Sequence, residues 1–447
     1  MMSFRYAAAA ILIAGIGVQA QTRPDPGQWA QWRGPSNTGV AAGDAPLTWS
    51  DSANVRWKVA IPGRGHSSPV IWGDRIFLTT AIPTGKKTAA EAAPEGGGRR
   101  GGGGSGSGEE HRFVVMAVDR LSGKTVWEQT ATTAVPHEGY HQAYGSFASN
   151  SPATDGQRVY AFFGSRGLYC YDMAGKLLWT KDFGVQMRMR LAFGEGAAIT
   201  LHGNRLVAVF DHEGEGLLAA LDTATGKEVW RVPRREGTSW SSPLVVQHGG
   251  SRQVVVTATP KVKSYDLESG KLLWEVSGLG LNPIPQPVQQ GDVVYVMSGY
   301  RDPMLLAVKL GRTGDLTATD AVVWQATRGL SYTASPVLHD NTLYLLTDNG
   351  QLSALNAATG APHYQQTRLP GPANFKSSPV ATNGKLYIAS EEGNVLVIKM
   401  GPAYEVLATN TLTDQSFIAT PAVAQGEIYL RSRTHLFRIA GGPTTTR

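Results

Sequence analysis

The chain repeats two phrases, and it starts and stops in the middle of the repeat. An apolar strand, a turn and a second strand carrying an aromatic recur as AVDRLSGKTVW (117–127), ALDTATGKEVW (220–230), SYDLESGKLLW (264–274) and ALNAATGAPHY (354–364). The other phrase is a small or hydroxyl residue before proline or its neighbour: SSPV at 67–70, NSPA at 150–153, SSPL at 241–244, ASPV at 334–337, SSPV at 377–380 and ATPA at 419–422. NVRWKVAIP (54–62) ends a unit that never began, and the C-terminal residues begin one that never ends. Two half-units that complete each other imply a closed ring.

The aromatic positions are Trp57, Trp127, Trp179, Trp230, Trp274, Trp324 and Tyr364, with Leu407 in the eighth. The starting positions are Pro69, Pro152, Ala198 in a degenerate unit, Pro243, Pro287, Pro336, Pro379 and Pro421. Most steps between like positions are 40 to 52 residues, the length of one four-stranded propeller blade. The expected fold is therefore an all-β, eight-bladed β-propeller over residues 54–440. Its last blade takes three strands from 416–440 and its outer strand from 54–62, which leaves no open seam. RVYAFF (158–163), VVYVMS (293–298) and LYIAS (386–390) have the β-branched and aromatic content of strands. The Gly of each Thr-Gly or Ser-Gly turn supplies a positive φ, and Asp119, Asp222 and Asp266 are placed to cap those turns. The Trp should pack between neighbouring blades.

The first residues read as a secretion signal over 1–20: Arg5, the apolar run AAAAILIAGIGV, and Val18-Gln19-Ala20 before Gln21. No Cys follows the cleavage point, so a soluble periplasmic or secreted chain without lipid attachment is expected, not membrane-spanning and monomeric. Residues 21–53 form an approach segment that lies across the ring, and 441–447 a short tail. The run at 83–110 is dense in Gly and poor in apolar residues, which predicts a disordered insertion between the second and third strands of the first blade. Cys170 is the sole cysteine, so no intrachain disulfide can form; LYCYD reads as a strand with a small buried thiol. The net charge of +6 is small for 447 residues and has no basic block, which argues against nucleic acid as a partner.

The phrase A-x-D-x-x-T-G-x-x-x-W resembles the repeat of pyrroloquinoline-quinone (PQQ) type propellers. That superfamily includes quinoprotein alcohol dehydrogenases and the propeller lipoprotein of the outer-membrane assembly machinery. WAQWRGPSNTG (29–39), SFASNSPATDGQRVYAFFGSRGLYCYDMAGKLLW (146–179), SSPVATNGKLYIASEEG (377–393) and IYLRSRTHLFRI (428–439) are similar to a group of exported PQQ-binding-like repeat proteins. The repeat specifies fold and not activity, because members with and without cofactor share it. The family's dehydrogenases hold PQQ against a disulfide of adjacent cysteines and bind calcium beside it. A chain with one Cys lacks the first element, and no motif places the second. The lipidated cysteine of the assembly protein is also missing.

Other motifs fail on context. His137-Glu138-Gly139-Tyr140-His141 spells H-E-x-x-H, but Pro136 and Gly139 deny it the helix a zinc site needs. SGKT (122–125) belongs to the repeat's turn, and no Ser sits in a G-x-S-x-G elbow. The remaining candidates are polar residues at the mouth of the central channel: Arg64, His66, Tyr140, His141, Asp211, His212, Trp240 and Lys376. Ser146, Glu213, Tyr332 and Asn374 occupy similar positions. They would offer aromatic stacking and charge to a polar or anionic ligand; the plainer reading is that they hydrate the channel. The expected function is a non-enzymatic binding or scaffold protein of the cell envelope, docking a protein or peptide partner, also by strand addition at blade edges. No cofactor and no metal are assigned. The alternative is a PQQ-dependent oxidoreductase with calcium at the channel mouth, in which Trp240 supplies the aromatic plane and Asp211 or Glu213 a ligand. Carbohydrate binding by channel aromatics is a third reading, without a motif.

Overall fold

The computed structural model describes residues 27–87, 108–372 and 374–441. The expected signal peptide and most of the tail lie outside them. Among the described residues eight antiparallel sheets follow one another in chain order. In the first blade the strands run from the channel outward as Val70–Trp72, Arg75–Lys87, Glu109–Asp119 and Thr125–Ala134. The eighth combines Ala422–Ala424, Glu427–Arg431 and His435–Ala440 with Val55–Ala60, which pairs antiparallel through Val55↔Ile439 and Val59↔Leu436. The ring is thus closed by the N-terminal strand, as the cut repeat required.

Each aromatic of the repeat locks one blade to the next. Trp57 Nε1 donates to Arg120 O at 3.1 Å, and Trp127, Trp179, Trp230 and Trp324 donate to Met173, Thr223, Leu267 and Ala357 O at 2.8–3.3 Å. Those carbonyls belong to the turns whose glycines are 123, 175, 226, 270 and 360. A Cβ on any of the five would stand 2.5–2.9 Å from the indole. Gly is therefore needed twice over, for its φ of +68° to +89° and for the flat approach of the ring. Asp119, Asp222 and Asp266 accept the backbone N–H of Ser122, Thr225 and Ser269, which stiffens the same turns. Three seams depart from the rule: Leu407 has no donor to give, the buried Tyr364 hydroxyl has no hydrogen-bond partner among the described residues, and Trp274 turns inward. Trp274 donates to Gln253 of its own blade, and the fifth blade replaces the short turn with a detour whose Gly314–Asp315 runs parallel to Trp274–Glu275. Seven apolar clusters fill the seams between blades, the largest joining the seventh, eighth and first blades to Trp29 and Trp49.

The second phrase builds a belt around the channel. The hydroxyl before each proline accepts the backbone N–H of the corresponding residue one blade earlier: Thr420 to Ser68, Ser68 to Ser151, Ala198 to Ser242, Gln286 to Ser335, Ser335 to Ser378 and Ser378 to Thr420. The two gaps fall where Ala198 and Gln286 replace the hydroxyl. Amides bridge those seams instead, Asn150 Nδ2 to Ala197 O and Gln286 Nε2 to Pro243 O.

The segment ahead of the first full blade crosses one mouth of the channel. Gln28–Trp29 pairs with Ile71–Trp72, Ala30 O accepts Thr154 N, and the Gln31 amide both donates to and accepts from Leu201. Trp32 donates to Thr420, Arg33 to Pro336 O, and Val40 bridges to Ala381. These contacts reach six of the eight blades. Strand pairing also extends into the insertion that composition marks as disordered. Pro83 pairs with His111 and Lys87 with Glu109, and Lys86 lies 3.3 Å from Glu110. The hairpin continues beyond the blade because its two arms carry complementary charge and hydrogen-bonding residues; residues 88–107 lie outside the described set. Cys170 is buried in Leu168–Asp172, and burial pushes its thiol up to about 12, which leaves it an inert core residue.

Candidate functional site

The N-terminal segment meets the inner strands at their C-terminal ends, so the residues that precede those strands gather at the opposite mouth. There the channel widens into a funnel of about 740 Å³, with Trp32 and the hydroxyls of Ser68, Ser378 and Thr420 at its floor. The funnel is blind: Gln31, Trp32 and Arg33 close what would be its exit.

Of the sequence candidates, His66, His141, Trp240, Tyr332 and Lys376 line this funnel. His66 is buried and its Nε2 lies 3.1 Å from Gly145 O. Burial, with Arg431, Arg64 and Arg433 nearby, pushes its imidazole down to about 3, so it stays neutral and its N–H donates to that carbonyl. His141 stacks on Tyr144 at 4.0 Å, and burial followed by the Lys376 charge lowers its pKa as well. Lys376 Nζ sits 4.8 Å above the Tyr144 ring and 2.6 Å from Asp348, which also accepts Thr333 N and Oγ1. Trp240 Nε1 donates to Gly194 O at 2.7 Å, which fixes the indole edge to the loop of the third blade. Tyr332 stacks on Tyr300 at 5.2 Å. Arg64 and Tyr140 pack on each other just outside, the guanidinium 4.9 Å over the ring and bonded to Gln142 O.

Asp211 and His212 are not brought to the funnel. Asp211 forms a two-pronged ion pair with Arg234 at 2.6 and 2.8 Å, both side chains buried, and Arg234 also donates to Tyr265. His212 accepts Arg188 N on one nitrogen and contacts Glu215 O with the other. Asp211 thus ties the third blade's loop to its outer strand, and His212 ties it to the stretch that leads into the blade. Ser146 is buried against Ser149, Glu213 accepts Thr238 Oγ1, and Asn374 is an exposed donor to Glu392. The H-E-x-x-H residues are dispersed: His137 faces Met187 O, Glu138 accepts Met189 N, and His141 is at the Tyr144 stack. Among the described residues no group of three or more His, Cys, Asp or Glu is arranged to hold a metal ion.

Several funnel residues carried no signal in the sequence. Arg190, Leu191 and Phe193 come from the irregular stretch leading into the third blade, and Tyr300 and Arg301 from a loop of the fifth. Leu191 is 58% exposed with φ of 57°, and Ala192 follows at 50°. Two left-handed residues that are not Gly cost of order 1 kcal/mol or more each. They are held by Arg190 N donating to Thr238 Oγ1 and by Met189 N donating to Glu138. Behind this loop Glu195 accepts Ser165 N and Oγ at 2.7 and 2.6 Å, beside His137 and Arg166, in a side cavity of about 30 Å³. Burial pushes Glu195 and Glu138 up to about 7 each, against the bonds they accept.

Known proteins place the chain. The curated relatives include outer membrane protein assembly factor BamB of Shewanella oneidensis, 25% identical over 53% of this chain and 60% of the relative. BamB of Yersinia pestis is 21% identical over 73% and 79%. Among solved structures, BamB from Moraxella catarrhalis superposes with a TM-score of 0.57 at 13% identity, over 86% of this chain and 99% of that one. The quinohemoprotein alcohol dehydrogenase from Comamonas testosteroni gives 0.61 at 11% identity, over 94% and 81%, which shows the shared fold alone. The sequence family described as outer membrane protein assembly factor BamB matches residues 111–275 and 214–440. With its eight blades, its Trp–Gly seams and three quarters of its length covered by that match, this chain belongs to the BamB family.

Proposed function

We propose that this protein is an exported periplasmic scaffold of the cell envelope, which docks a protein partner at the funnel mouth in the course of outer-membrane protein assembly. The observation that carries the reading is the loop at 190–193. It holds an exposed leucine in a left-handed conformation beside cationic and aromatic side chains at the funnel mouth. An exposed, strained apolar side chain on a rigid support suits a partner contact better than a core role. No helix among the described residues is long and apolar enough to cross a membrane, which accords with a partner-bound or free envelope protein. The test is depletion and rescue. A strain lacking the chain should contain less folded outer-membrane β-barrel protein, restored by the parent and not by Leu191→Asp. Full restoration by Leu191→Asp, or no loss on deletion, would sink the proposal.

The shared fold favours a PQQ-dependent oxidoreductase as the second reading. The residues present do not fit that group. Cys170 is single and buried away from the funnel, Asp211 is spent on Arg234, and Asp348 is spent on Lys376 and Thr333. Titration with PQQ and Ca²⁺ separates the two readings: saturable, calcium-dependent binding would favour the oxidoreductase.

A further inference from the structure

The funnel's charges do not balance. Asp348 is compensated by Lys376 at 2.6 Å, and Glu195, which also lines the funnel, has its carboxyl oxygens held by Ser165 N and Oγ. Arg190 and Arg301 line the funnel on the sides of the third and fifth blades, and among the described residues neither guanidinium has a hydrogen bond or an ion pair. Arg301 only overlies the Tyr300 ring, at 5.5 Å. At the rim Arg64 has a carbonyl and a ring for partners and no carboxylate. His66 and His141 are held neutral and add no charge of their own. Guanidinium forks without a bonded acceptor are receptors for carboxylate, since each can give two parallel N–H bonds to one.

Two further features restrict the occupant. The funnel is closed at its floor by Trp32, which donates to Thr420, and by Arg33 beneath it. A segment can therefore enter end-on and cannot thread through. The walls also carry flat apolar faces, the Tyr300–Tyr332 and His141–Tyr144 stacks and Trp240, which suit an aromatic or long apolar side chain next to the charge.

We propose that the funnel captures the C-terminal end of an acidic peptide segment, its α-carboxylate and a neighbouring acidic side chain shared between Arg190 and Arg301. This rests on the docking reading above and adds the chemistry of the partner. A C-terminus satisfies the blind end, the pair of free guanidiniums and the aromatic walls together. A through-running strand satisfies none of the first, and a neutral segment leaves both cations unpaired.

The experiment is a fluorescence-anisotropy titration of the purified protein with the labelled peptide Ser-Gly-Ser-Gly-Asp-Glu-Asp-Phe as free acid. The same peptide as C-terminal amide, and with Asn and Gln in place of its acids, serves for comparison. The free acid should bind saturably and weaken as salt is raised. Amidation should weaken it about tenfold or more, and so should neutralising the side chains. Arg190→Gln and Arg301→Gln should each weaken the free acid about tenfold with little change in melting temperature, because among the described residues neither guanidinium has a hydrogen bond or ion pair to lose, and Arg301 gives up only its contact with the Tyr300 ring. Equal binding of acid and amide, no binding of either, or tighter displacement by an oligogalacturonate would overturn the inference. Failure of the peptide with no binding of PQQ and Ca²⁺ in a parallel titration leaves the docking reading in place. Binding of PQQ in that arm removes the docking reading itself.

Discussion

The two mouths of the channel are built in opposite ways. At the closed mouth the N-terminal segment buries Trp29 and Trp49 in the largest apolar cluster and reaches six blades by hydrogen bonds. At the open mouth Leu191, Tyr144 and Arg301 are exposed, Leu191, Ala192, Asn282, Arg301 and Asp302 sit in left-handed conformations, and among the described residues the Arg190 and Arg301 guanidiniums are without acceptors. Closure of the ring already fixes the blades, so the loops of one end are free of the task of holding them. The contacts of the N-terminal segment lie at one face, and the exposed and strained loop residues at the other.

The largest expected effect is at the closed mouth. Trp29 is fully buried, its ring lies over Gly34, and it packs with the first, seventh and eighth blades. Trp29→Ala should destabilise by about 3–5 kcal/mol, the usual range for deleting a buried aromatic. Trp240→Ala, at the half-buried funnel wall, should cost markedly less. A denaturation midpoint lowered equally by both would break the contrast between the two ends.

Next in size is the response to pH. Glu195 ionises in the unfolded chain near the ordinary carboxylate value, but burial holds its folded pKa at about 7, with Glu138 raised by burial and then by Glu195. The folded state therefore keeps a proton that the unfolded state loses. That contribution is complete below about pH 4.5 and is lost as pH rises through about 7. The facing groups are His137, whose pKa burial lowers, and Arg166, bonded to Val135 O. A raised pKa of this size corresponds to roughly 3 kcal/mol for the buried carboxyl. Thermal melts should show lower stability at pH 8.5 than at pH 5.5, and Glu195→Gln should flatten the difference. An unchanged slope in that variant would remove Glu195 as the cause.

The belt is a smaller test. Ser378 Oγ accepts Ser335 N at 2.9 Å, and both residues are buried. Ser378→Ala should cost about 1–3 kcal/mol, because it strands a buried donor. A cost near zero would mean that the proline phrase is retained for backbone shape and not for the hydroxyl.

What the sequence reveals follows the same division. The blades, the seams and the ring closure were legible because Trp, Gly, Asp and the hydroxyl-proline phrase recur at fixed offsets, and each has one physical task. His66, His141, Trp240 and Lys376 were legible as funnel residues because the residues just before an inner strand must face the channel mouth. Asp211 was assigned to the mouth because Asp211-His212-Glu213 stands where other blades have a plain turn, and it lies in a buried pair instead. Its partner Arg234 is 23 positions away on the outer strand, and only the fold brings the two together. Arg190, Leu191 and Arg301 were invisible for the converse reason. They stand in loops with no counterpart in the other blades, so no repeat marks them.

The smallest expected effect on stability is the most telling for the open mouth. Leu191 is exposed, so removing its side chain forfeits no core contact. Its φ of 57° is one that Gly adopts without a Cβ clash. In Leu191→Gly the relief of backbone strain opposes the greater freedom of Gly in the unfolded chain, and both are about 1 kcal/mol or less. The melting temperature should move little in either direction, while binding of the envelope partner falls with the lost apolar contact. A loss above about 2 kcal/mol would place the 190–193 loop among the elements that hold the ring together. An unchanged melting temperature with unimpaired docking would leave the exposed leucine without a task, and would move the contact to the charged and aromatic walls of the funnel.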